Sequence, residues 1–252
     1  MSYAVAVLGA TGLVGRKLLQ ILEERRFPAG RVRALASARS AGVKAPWRGA
    51  ELEVETATAD SFDGIDIVLA SAGGSVSRTL GPVAVAHGAA LIDNTSAFRC
   101  EPDVPLVVPE VNGHRIADYQ PRGIIANPNC STIQMVVALK PLHDRAGLRR
   151  VIVSTYQAVS GAGVQAIDEL REETSCALRG EDYERTVFPR PIAFNPIPHI
   201  DTFGDDGDTR EEWKMRVETP KILEAEVPVH ATCVRVPALN AHAEAEIGRA
   251  HV

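Results

Sequence analysis

The chain has 252 residues, of which 45% are hydrophobic and 23% are charged, with 27 Lys and Arg against 32 Asp and Glu. This composition is that of an average globular protein and excludes a disordered, collagen-like or coiled-coil chain. The length predicts one or two domains that bury a core without disulfide or metal support. The net charge of -5, with basic residues interleaved among acids, disfavours nucleic acid as a partner and favours a small molecule.

The cysteine spacing and the lack of long apolar runs predict the cellular compartment of the protein. Cys100, Cys130, Cys176 and Cys233 form no CxxC pair, so neither a disulfide framework nor a metal site is expected. The N-terminus has no basic segment typical of a secretion signal, and no apolar run reaches the length of a membrane span. We therefore expect reduced thiols in a soluble, cytoplasmic protein without a membrane partner.

The first half of the chain alternates between two apolar patterns. Residues 3–8 form a short apolar run that ends at Gly9, which predicts a buried strand, and helix periodicity begins at Leu13. The same patterns predict strands at 32–36, 52–56, 65–70, 89–92 and 106–108, and a helix over 76–87. Strands that alternate with helices are typical of a parallel α/β sheet.

The pattern changes after Ile124. A helix is predicted after Cys130, a long strand over 149–158 and a charged helix over 164–178. The proline-rich stretch 189–198 and the acidic stretch 201–208 are predicted to be loops. We place a domain boundary near Asn127, which gives a first domain of residues 1–127 and a second of residues 128–252.

A glycine-rich loop joins the first predicted strand to the first predicted helix. In that position glycines let the backbone approach a pyrophosphate held at the helix N-terminus, so the loop predicts a dinucleotide site. The alternative is a tight turn with close packing of strand and helix. The candidate cofactor residues here are Gly9, Thr11, Gly12, Leu13, Val14 and Gly15.

The end of the second predicted strand favours NADP over NAD. NAD sites usually carry an acidic residue there, whereas this chain has Ser37, Arg39 and Ser40. A guanidinium and hydroxyl groups suit a 2′-phosphate. The alternative is that Arg39 is an ordinary surface residue.

Cys130 is the candidate nucleophile. Asn129 precedes it and is a typical helix N-cap, which places the thiol near a helix N-terminus, where the helix dipole favours a thiolate. The alternative, an inert buried cysteine, is the interpretation we give to the other three cysteines.

Nine motifs in one order resemble the aspartate-β-semialdehyde dehydrogenase family over residues 3–246. The motifs are GATGLVG from Gly9, SARSAG from Ser37, SAGGSVSR from Ser71, DNTSAFR from Asp93, NPNCST from Asn127, QAVSGAG from Gln157, NPIPHID from Asn195, EEWKM from Glu211 and CVRVPALNAH from Cys233. The resemblance implies a Rossmann-like NADP-binding domain, followed by an α+β catalytic and dimerisation domain, in a homodimer or homotetramer.

The resemblance also implies a catalytic set. Cys130 would form a thiohemiacetal with the semialdehyde and then, after hydride loss to NADP, an acyl-thioester, with His242 as general acid and base. Gln157 would help to orient the substrate. The biosynthetic reaction would be the reductive dephosphorylation of L-4-aspartyl phosphate, which feeds the synthesis of lysine, methionine and threonine.

Further residues are implied to bind substrate, phosphate or cofactor. Arg235 would hold the substrate carboxylate, Glu211 the substrate ammonium and Lys214 the phosphate. Two more residues, Arg99 and Asn129, would complete the phosphate site. The small residues implied to lie against the cofactor are Ser71, Ala72, Gly73, Ser160 and Gly161.

The chain departs from the family pattern around and after His242. Ala241 and Ala243 stand where the family commonly has Gly and Ser, and family members continue well beyond this region. Residues 247–252 match the translation of a common sequencing adapter, so we expect a longer natural protein and, in this chain, an exposed sheet edge. The alternative functions are an N-acetyl-γ-glutamyl-phosphate reductase, which Glu211 opposes, and an inactive truncated paralogue.

Overall fold

The computed structural model describes residues 2–250, and residues 2–248 with their side chains. Residues 251 and 252 of the adapter-like segment lie outside the described residues. The chain divides into two compact units, residues 1–128 and 129–252. Each unit is described by itself.

The first unit is built on a seven-stranded sheet. Its strands are β1 (Tyr3–Leu8), β2 (Ala29–Ala36), β3 (Lys44–Trp47), β4 (Ala50–Thr56), β5 (Ile67–Ala70), β6 (Ala90–Asp93) and β7 (Ile124–Ala126). The strand order is β3-β4-β2-β1-β5-β6-β7. Every neighbouring pair is parallel except β3 and β4.

Three α-helices connect these strands. They are α1 (Leu13–Glu24), α2 (Gly74–Ala86) and α3 (Pro109–Asn112). Helix α1 buries Leu19 in a cluster with Val7 of β1 and Ala34 of β2. Short 3₁₀ turns follow β2, β4 and α3, at Ala38–Ser40, Ala59–Phe62 and Gly113–Tyr119.

The structure corrects the strand predictions for this unit at three places. The strand predicted at 106–108 is wrong: Leu106 forms only an isolated bridge with Ala126, between two prolines that cannot donate main-chain hydrogen bonds. Strand β7 was not predicted because it is only three residues long. The hairpin of β3 and β4 was missed because its turn uses Arg48 and Gly49, both at positive φ, instead of the common Asn-Gly pair.

The second unit has a three-stranded sheet. Its strands are β8 (Leu148–Gln157), β9 (Val229–Arg235) and β10 (His242–Ala250), in the order β10-β8-β9. Strand β8 pairs in parallel with β9 and antiparallel with β10. Its helices are α4 (Cys130–Ala146), α5 (Val164–Arg179) and α6 (Arg210–Leu223).

Two buried carboxylates on α5 hold the segment that follows this helix. Glu169 accepts hydrogen bonds from the main-chain N–H groups of residues 186–188, and Glu173 accepts them from Ile192 and Ala193. The predicted loops at 189–198 and 201–208 form no helix or strand, as expected. Prolines leave this segment without a regular hydrogen-bond ladder, so side-chain acceptors replace it.

The predicted fold class, a parallel α/β unit followed by an α+β unit, is confirmed. Helix α5 and strand β8 were predicted within two residues of their observed bounds, and α4 was predicted to follow Cys130 without an end bound, whereas α6, β9 and β10 were not assigned. Across residues 2–250, each helix is too short or too polar to cross a bilayer.

Replacement of Gly15 by Ala is expected to destabilise the chain. A Cβ atom at Gly15 would lie 2.1 Å from the Gly9 carbonyl oxygen and 2.7 Å from the Ala10 Cα, both of which are backbone atoms. Overpacking of this kind costs about 1–3 kcal/mol, so the urea midpoint of Gly15→Ala should fall clearly. Gly113→Ala is the matched control, because its Cβ would meet nothing within 4 Å. Equal midpoints for the two variants would contradict this packing.

Candidate active site

The register of the second sheet aligns three polar side chains. Gln157, the last residue of β8, pairs with Arg235 at the end of β9 and with His242 at the start of β10. Residues directly opposite each other on paired strands project to the same face of a sheet. Arg235, Gln157 and His242 therefore form one row across the sheet.

Helix α4 begins beside this row with the candidate nucleophile. Asn129 caps the helix, because its side-chain Oδ1 accepts hydrogen bonds from the N–H groups of Ser131 and Thr132. Cys130 is the first residue of the helix and is exposed. Its Sγ lies 3.3 Å from His242 Nε2. The prediction that Cys130 lies at a helix N-terminus is confirmed.

The His242 ring has a main-chain donor and a main-chain acceptor at Nδ1. The Ala158 main-chain nitrogen and the Ala241 carbonyl oxygen each lie 3.0 Å from Nδ1. In the neutral tautomer protonated at Nδ1, this atom donates to the Ala241 carbonyl oxygen, which also accepts from the Ala158 N–H over 3.2 Å, and Nε2 presents its lone pair to Cys130 Sγ. Burial lowers the pKa of His242, and the positive charge of Arg235 lowers it further. The ring is thus neutral at neutral pH.

A buried carboxylate on α6 connects the helix start to the row. Glu211 Oε1 accepts hydrogen bonds from Asn129 Nδ2 over 2.9 Å and from Gln157 Nε2 over 3.0 Å. Glu211 Oε2 lies 3.1 Å from Lys214 Nζ. Burial alone would raise the pKa of Glu211, but the charge of Lys214 and the two amide donors outweigh it, so the pKa is lowered. Glu211 is an ionised carboxylate inside the unit.

Lys214 joins Glu211 to a second acid. Its Nζ also lies 2.9 Å from Asp201 Oδ2. Burial alone would lower the pKa of Lys214, but the charges of Glu211 and Asp201 raise it. A capping box of Thr209 and Glu212 fixes the start of α6. Glu211 and Lys214 lie in the first two turns of this helix.

Arg235 and Gln157 are both buried and have fixed partners. Arg235 Nη1 donates to the Ala158 carbonyl oxygen over 2.7 Å, and burial lowers the pKa of the guanidinium. Gln157 Oε1 accepts from the Thr155 hydroxyl over 2.9 Å. Ser160 and Gly161 lie in the 3₁₀ turn that follows β8, and a Cβ at Gly161 would approach Arg235 Nη1 to 3.1 Å.

The first unit contains a separate cleft of about 480 Å³ beside its glycine loop. Gly9 has φ +94°, and a Cβ there would lie 2.9 Å from the Ala72 main-chain nitrogen. Gly12 is the N-cap of α1 and provides no side-chain cap. The cleft is lined by Leu8, Gly9, Thr11, Gly12, Ala36, Ser37, Ala38, Arg39, Thr56, Ala57, Ser71, Ala72, Val76 and Leu80.

The remaining predicted cofactor residues lie at the start of α1 or next to the cleft lining. Leu13, Val14 and Gly15 form the first turn of α1, and Gly15 is buried. Ser40 ends the 3₁₀ turn after β2 and lies 3.5 Å from Thr11 through their hydroxyl oxygens. Gly73 is the N-cap of α2.

These residues fit a dinucleotide. The uncapped start of α1 presents main-chain N–H groups, as a pyrophosphate site requires. The Ser71 hydroxyl at the cleft wall is buried and has no hydrogen-bond partner among the residues that the structure describes. The absence of a Cβ at Gly9 and Gly12 leaves room for the backbone to approach a ligand.

Arg99 belongs to the first unit. Its side chain is buried and donates from Nε to the Asn127 carbonyl oxygen over 2.9 Å and from Nη2 to the Asn94 carbonyl oxygen over 3.0 Å. It therefore supports the segment that leads out of β7. Its part in a phosphate site stays a prediction, as do the binding roles of Asn129, Glu211 and Lys214.

Two family descriptions match most of the chain. "Semialdehyde dehydrogenase, NAD binding domain" matches residues 4–119, and "Semialdehyde dehydrogenase, dimerisation domain" matches residues 139–249. The aspartate-semialdehyde dehydrogenase of Aquifex aeolicus is 53% identical over 97% of this chain and 73% of its own length. The chain belongs to the aspartate-semialdehyde dehydrogenase family.

Solved structures agree with this family. Aspartate semialdehyde dehydrogenase II of Vibrio cholerae, complexed with ASA, has a TM-score of 0.98 and 47% identity over 100% of this chain and 75% of its own. The Candida albicans aspartate semialdehyde dehydrogenase with NADP has a TM-score of 0.71 and 27% identity over 99% of this chain and 72% of its own. The family's parallel dinucleotide-binding fold is therefore the fold of the first unit.

Sequence reasoning missed two residues that support the site. Thr155 orients the Gln157 amide, and Glu218 on α6 accepts the Asn129 N–H over 2.6 Å. The signal for Glu218 was its spacing: it follows Glu211 by seven residues, which is two helical turns and returns to the same helix face. The signal for Thr155 was a polar residue at an inward position of β8.

Lys214→Met is expected to destabilise the chain by about 3 kcal/mol at pH 7, because it leaves a buried carboxylate without its cation. In the parent, Lys214 helps to hold the pKa of Glu211 below its ordinary value of 4.5, so Glu211 adds stability that is lost as the pH falls through that lowered pKa. In the variant, burial dominates and Glu211 favours the protonated form. The stability deficit should therefore shrink towards pH 4.5 in urea unfolding.

Arg171→Met is the control for that measurement. The Arg171–Asp168 pair is exposed and 4.0 Å apart, so its loss should cost less than about 1 kcal/mol. A Lys214→Met deficit that is equally small, or that stays constant with pH, would argue against a buried ion pair.

Proposed function

We propose that the chain catalyses the reversible, NADP-dependent and phosphate-dependent oxidation of L-aspartate 4-semialdehyde through a cysteine thioester. In the biosynthetic direction this is the reductive dephosphorylation of L-4-aspartyl phosphate, which feeds lysine, diaminopimelate, methionine, threonine and isoleucine synthesis. The observation that carries the proposal is the 3.3 Å distance between Cys130 Sγ and His242 Nε2 at a capped helix N-terminus.

The first step uses the neutral imidazole as a base. His242 Nε2 takes the thiol proton of Cys130, and the N-terminus of α4 favours the resulting thiolate. The sulfur attacks the aldehyde carbon, a C–S bond forms, and the aldehyde oxygen takes the proton back from Nε2. The product is a thiohemiacetal on Cys130.

The second step converts the thiohemiacetal to a thioester. NADP in its oxidised form supplies the hydride acceptor. His242 removes the hydroxyl proton as the C–H electron pair leaves the carbon. Inorganic phosphate then attacks the thioester carbonyl, the C–S bond breaks, and the Cys130 thiolate leaves with the acyl phosphate as product.

The substrate groups match the charges of the second unit. Arg235 offers a guanidinium for the α-carboxylate, and the ionised Glu211 offers an acceptor for the α-ammonium. Gln157 would orient the carbonyl, while Lys214 would bind phosphate together with the two residues Arg99 and Asn129. An N-acetylated substrate has no ammonium to pair with Glu211, which is why we rank the acetylglutamyl phosphate reductase second.

We assign NADP to the cleft of the first unit, which we propose to be the NADP-binding domain, residues 1–127. The N–H groups at the start of α1 would hold the pyrophosphate, and Arg39, Ser37 and Ser40 would hold the 2′-phosphate. Support comes from the exposed position of Arg39 at the cleft and from the NADP of the Candida albicans relative. Residues 128–252 would form the catalytic and dimerisation domain.

We also propose that the enzyme is a homodimer or homotetramer. The outer face of the second sheet exposes Ile152, Tyr156 and Ile247, and Ile152 pairs directly with Ile247. Exposed apolar side chains on one sheet face are typical of a subunit contact. The match to a dimerisation domain over residues 139–249 supports the same assignment.

Cys130→Ser is the variant that tests the proposed function. Loss of the thiolate nucleophile should lower kcat by about 10³-fold or more in an assay of phosphate-dependent NADPH formation from L-aspartate 4-semialdehyde. Cys176→Ser on α5 should keep parental activity. Parental turnover by Cys130→Ser, or a preference of the parent for the N-acetylglutamate semialdehyde, would overturn the proposal.

Arg39→Asp tests the cofactor assignment. The change removes a charged hydrogen bond to the 2′-phosphate, so the NADP to NAD ratio of kcat/KM should fall by about 10- to 100-fold. Lys17→Asp makes the same charge change on α1 outside the cleft lining and should leave the ratio unchanged. An unchanged NADP to NAD ratio in Arg39→Asp would show that Arg39 does not bind the 2′-phosphate.

A further inference from the structure

Glu218 contacts the main chain immediately before the nucleophile. It lies on α6, is only 2% exposed, and its Oε2 accepts the Asn129 N–H over 2.6 Å. A hydrogen bond from a main-chain N–H to a carboxylate is shorter and stronger than one between neutral groups. Glu218 is thus a strong anchor for the residue that caps α4.

We propose that Glu218 is a positioning residue for Cys130, which it holds at proton-transfer distance from His242 by fixing the Asn129 main chain. The inference rests on the proposed function insofar as Cys130 is the nucleophile. Glu218 itself touches neither reacting atom.

The hydrogen bonds of Asn129 explain why this anchor matters. The side-chain amide of Asn129 has two roles: its Oδ1 accepts the capping hydrogen bonds of α4, and its Nδ2 donates to Glu211. None of these three hydrogen bonds holds the Asn129 main-chain nitrogen. Pro128 has no N–H, so the Asn129 N–H is the last main-chain donor before Cys130 that an acceptor on α6 can hold.

Glu211 and Glu218 together hold Asn129 from one helix. They lie two turns apart on the same face of α6, and one accepts from the side chain while the other accepts from the main chain. With one of the two anchors removed, the first turn of α4 can rotate about the other. A displacement of about 1 Å at a reacting group lowers rates by about 100-fold, so loss of Glu218 should act on the chemical step.

The experiment compares the 252-residue chain with Glu218→Ala and Glu218→Gln. One readout is the rate of Cys130 alkylation by iodoacetamide against pH, followed by peptide mapping. The other is kcat and KM for L-aspartate 4-semialdehyde with NADP and phosphate. Glu173→Ala is the matched control, because Glu173 is also buried and accepts two main-chain N–H groups, but on a different segment.

Glu218→Ala should lower kcat by about 10- to 100-fold with KM changed less than about threefold, and the alkylation profile should shift to higher pH. Glu218→Gln keeps an oxygen acceptor and should recover most of the lost rate. Glu173→Ala should lose stability but keep parental kcat and alkylation.

Three results would overturn the inference: parental kcat and alkylation in Glu218→Ala, a Glu218→Gln loss as large as that of Glu218→Ala, or an equal kcat loss in Glu173→Ala. If Glu218→Ala does not fold, Glu218→Asp replaces it. The Asp side chain is one methylene shorter, so its carboxylate lies further from the Asn129 N–H. Slower alkylation of Cys130 in this variant supports the inference, and parental alkylation overturns it. If the parent shows no turnover, the proposed function fails while alkylation still decides the role of Glu218.

Discussion

One buried carboxylate determines the arrangement of the candidate active site. Removing the Glu211 charge from water costs several kcal/mol, which only a cation and full hydrogen bonding can offset. Lys214 supplies the cation, and the amides of Asn129 and Gln157 supply the donors. Because these donors come from the start of α4 and the end of β8, satisfying one charge fixes the helix against the sheet.

The same constraint determines which groups meet the thiol. The strand register places Gln157 next to His242, and the Asn129 cap fixes the first turn of α4, so Cys130 Sγ lies 3.3 Å from the imidazole. Burial keeps that imidazole neutral and therefore able to accept a proton. Geometry and protonation state thus agree with the acid–base role proposed for His242.

The sequence predicted the elements with a strong apolar pattern and missed those whose apolar pattern is weak. Strand β1 is a pure apolar run and α1 an amphipathic repeat, and both were predicted at their observed starts. Strand β10 alternates Ala with Glu and offers no apolar run, while α6 contains Pro220 and many charges. Cys130 and the glycine loop were predicted from their own sequence context, and the other residues of the catalytic and substrate sets came from motif resemblance. Glu218 and Thr155 act through other residues, and their sequence signals were too weak to single them out without their contacts.

The most direct test of the thioester proposal is to withhold phosphate. The 252-residue chain is mixed with L-aspartate 4-semialdehyde and oxidised NADP without phosphate, quenched in acid and analysed by peptide mass spectrometry. We expect an aspartyl thioester on the Cys130 peptide in an amount equal to a single burst of NADPH. Phosphate-dependent turnover by a preparation whose Cys130 peptide stays unmodified under these conditions would contradict the proposed chemistry.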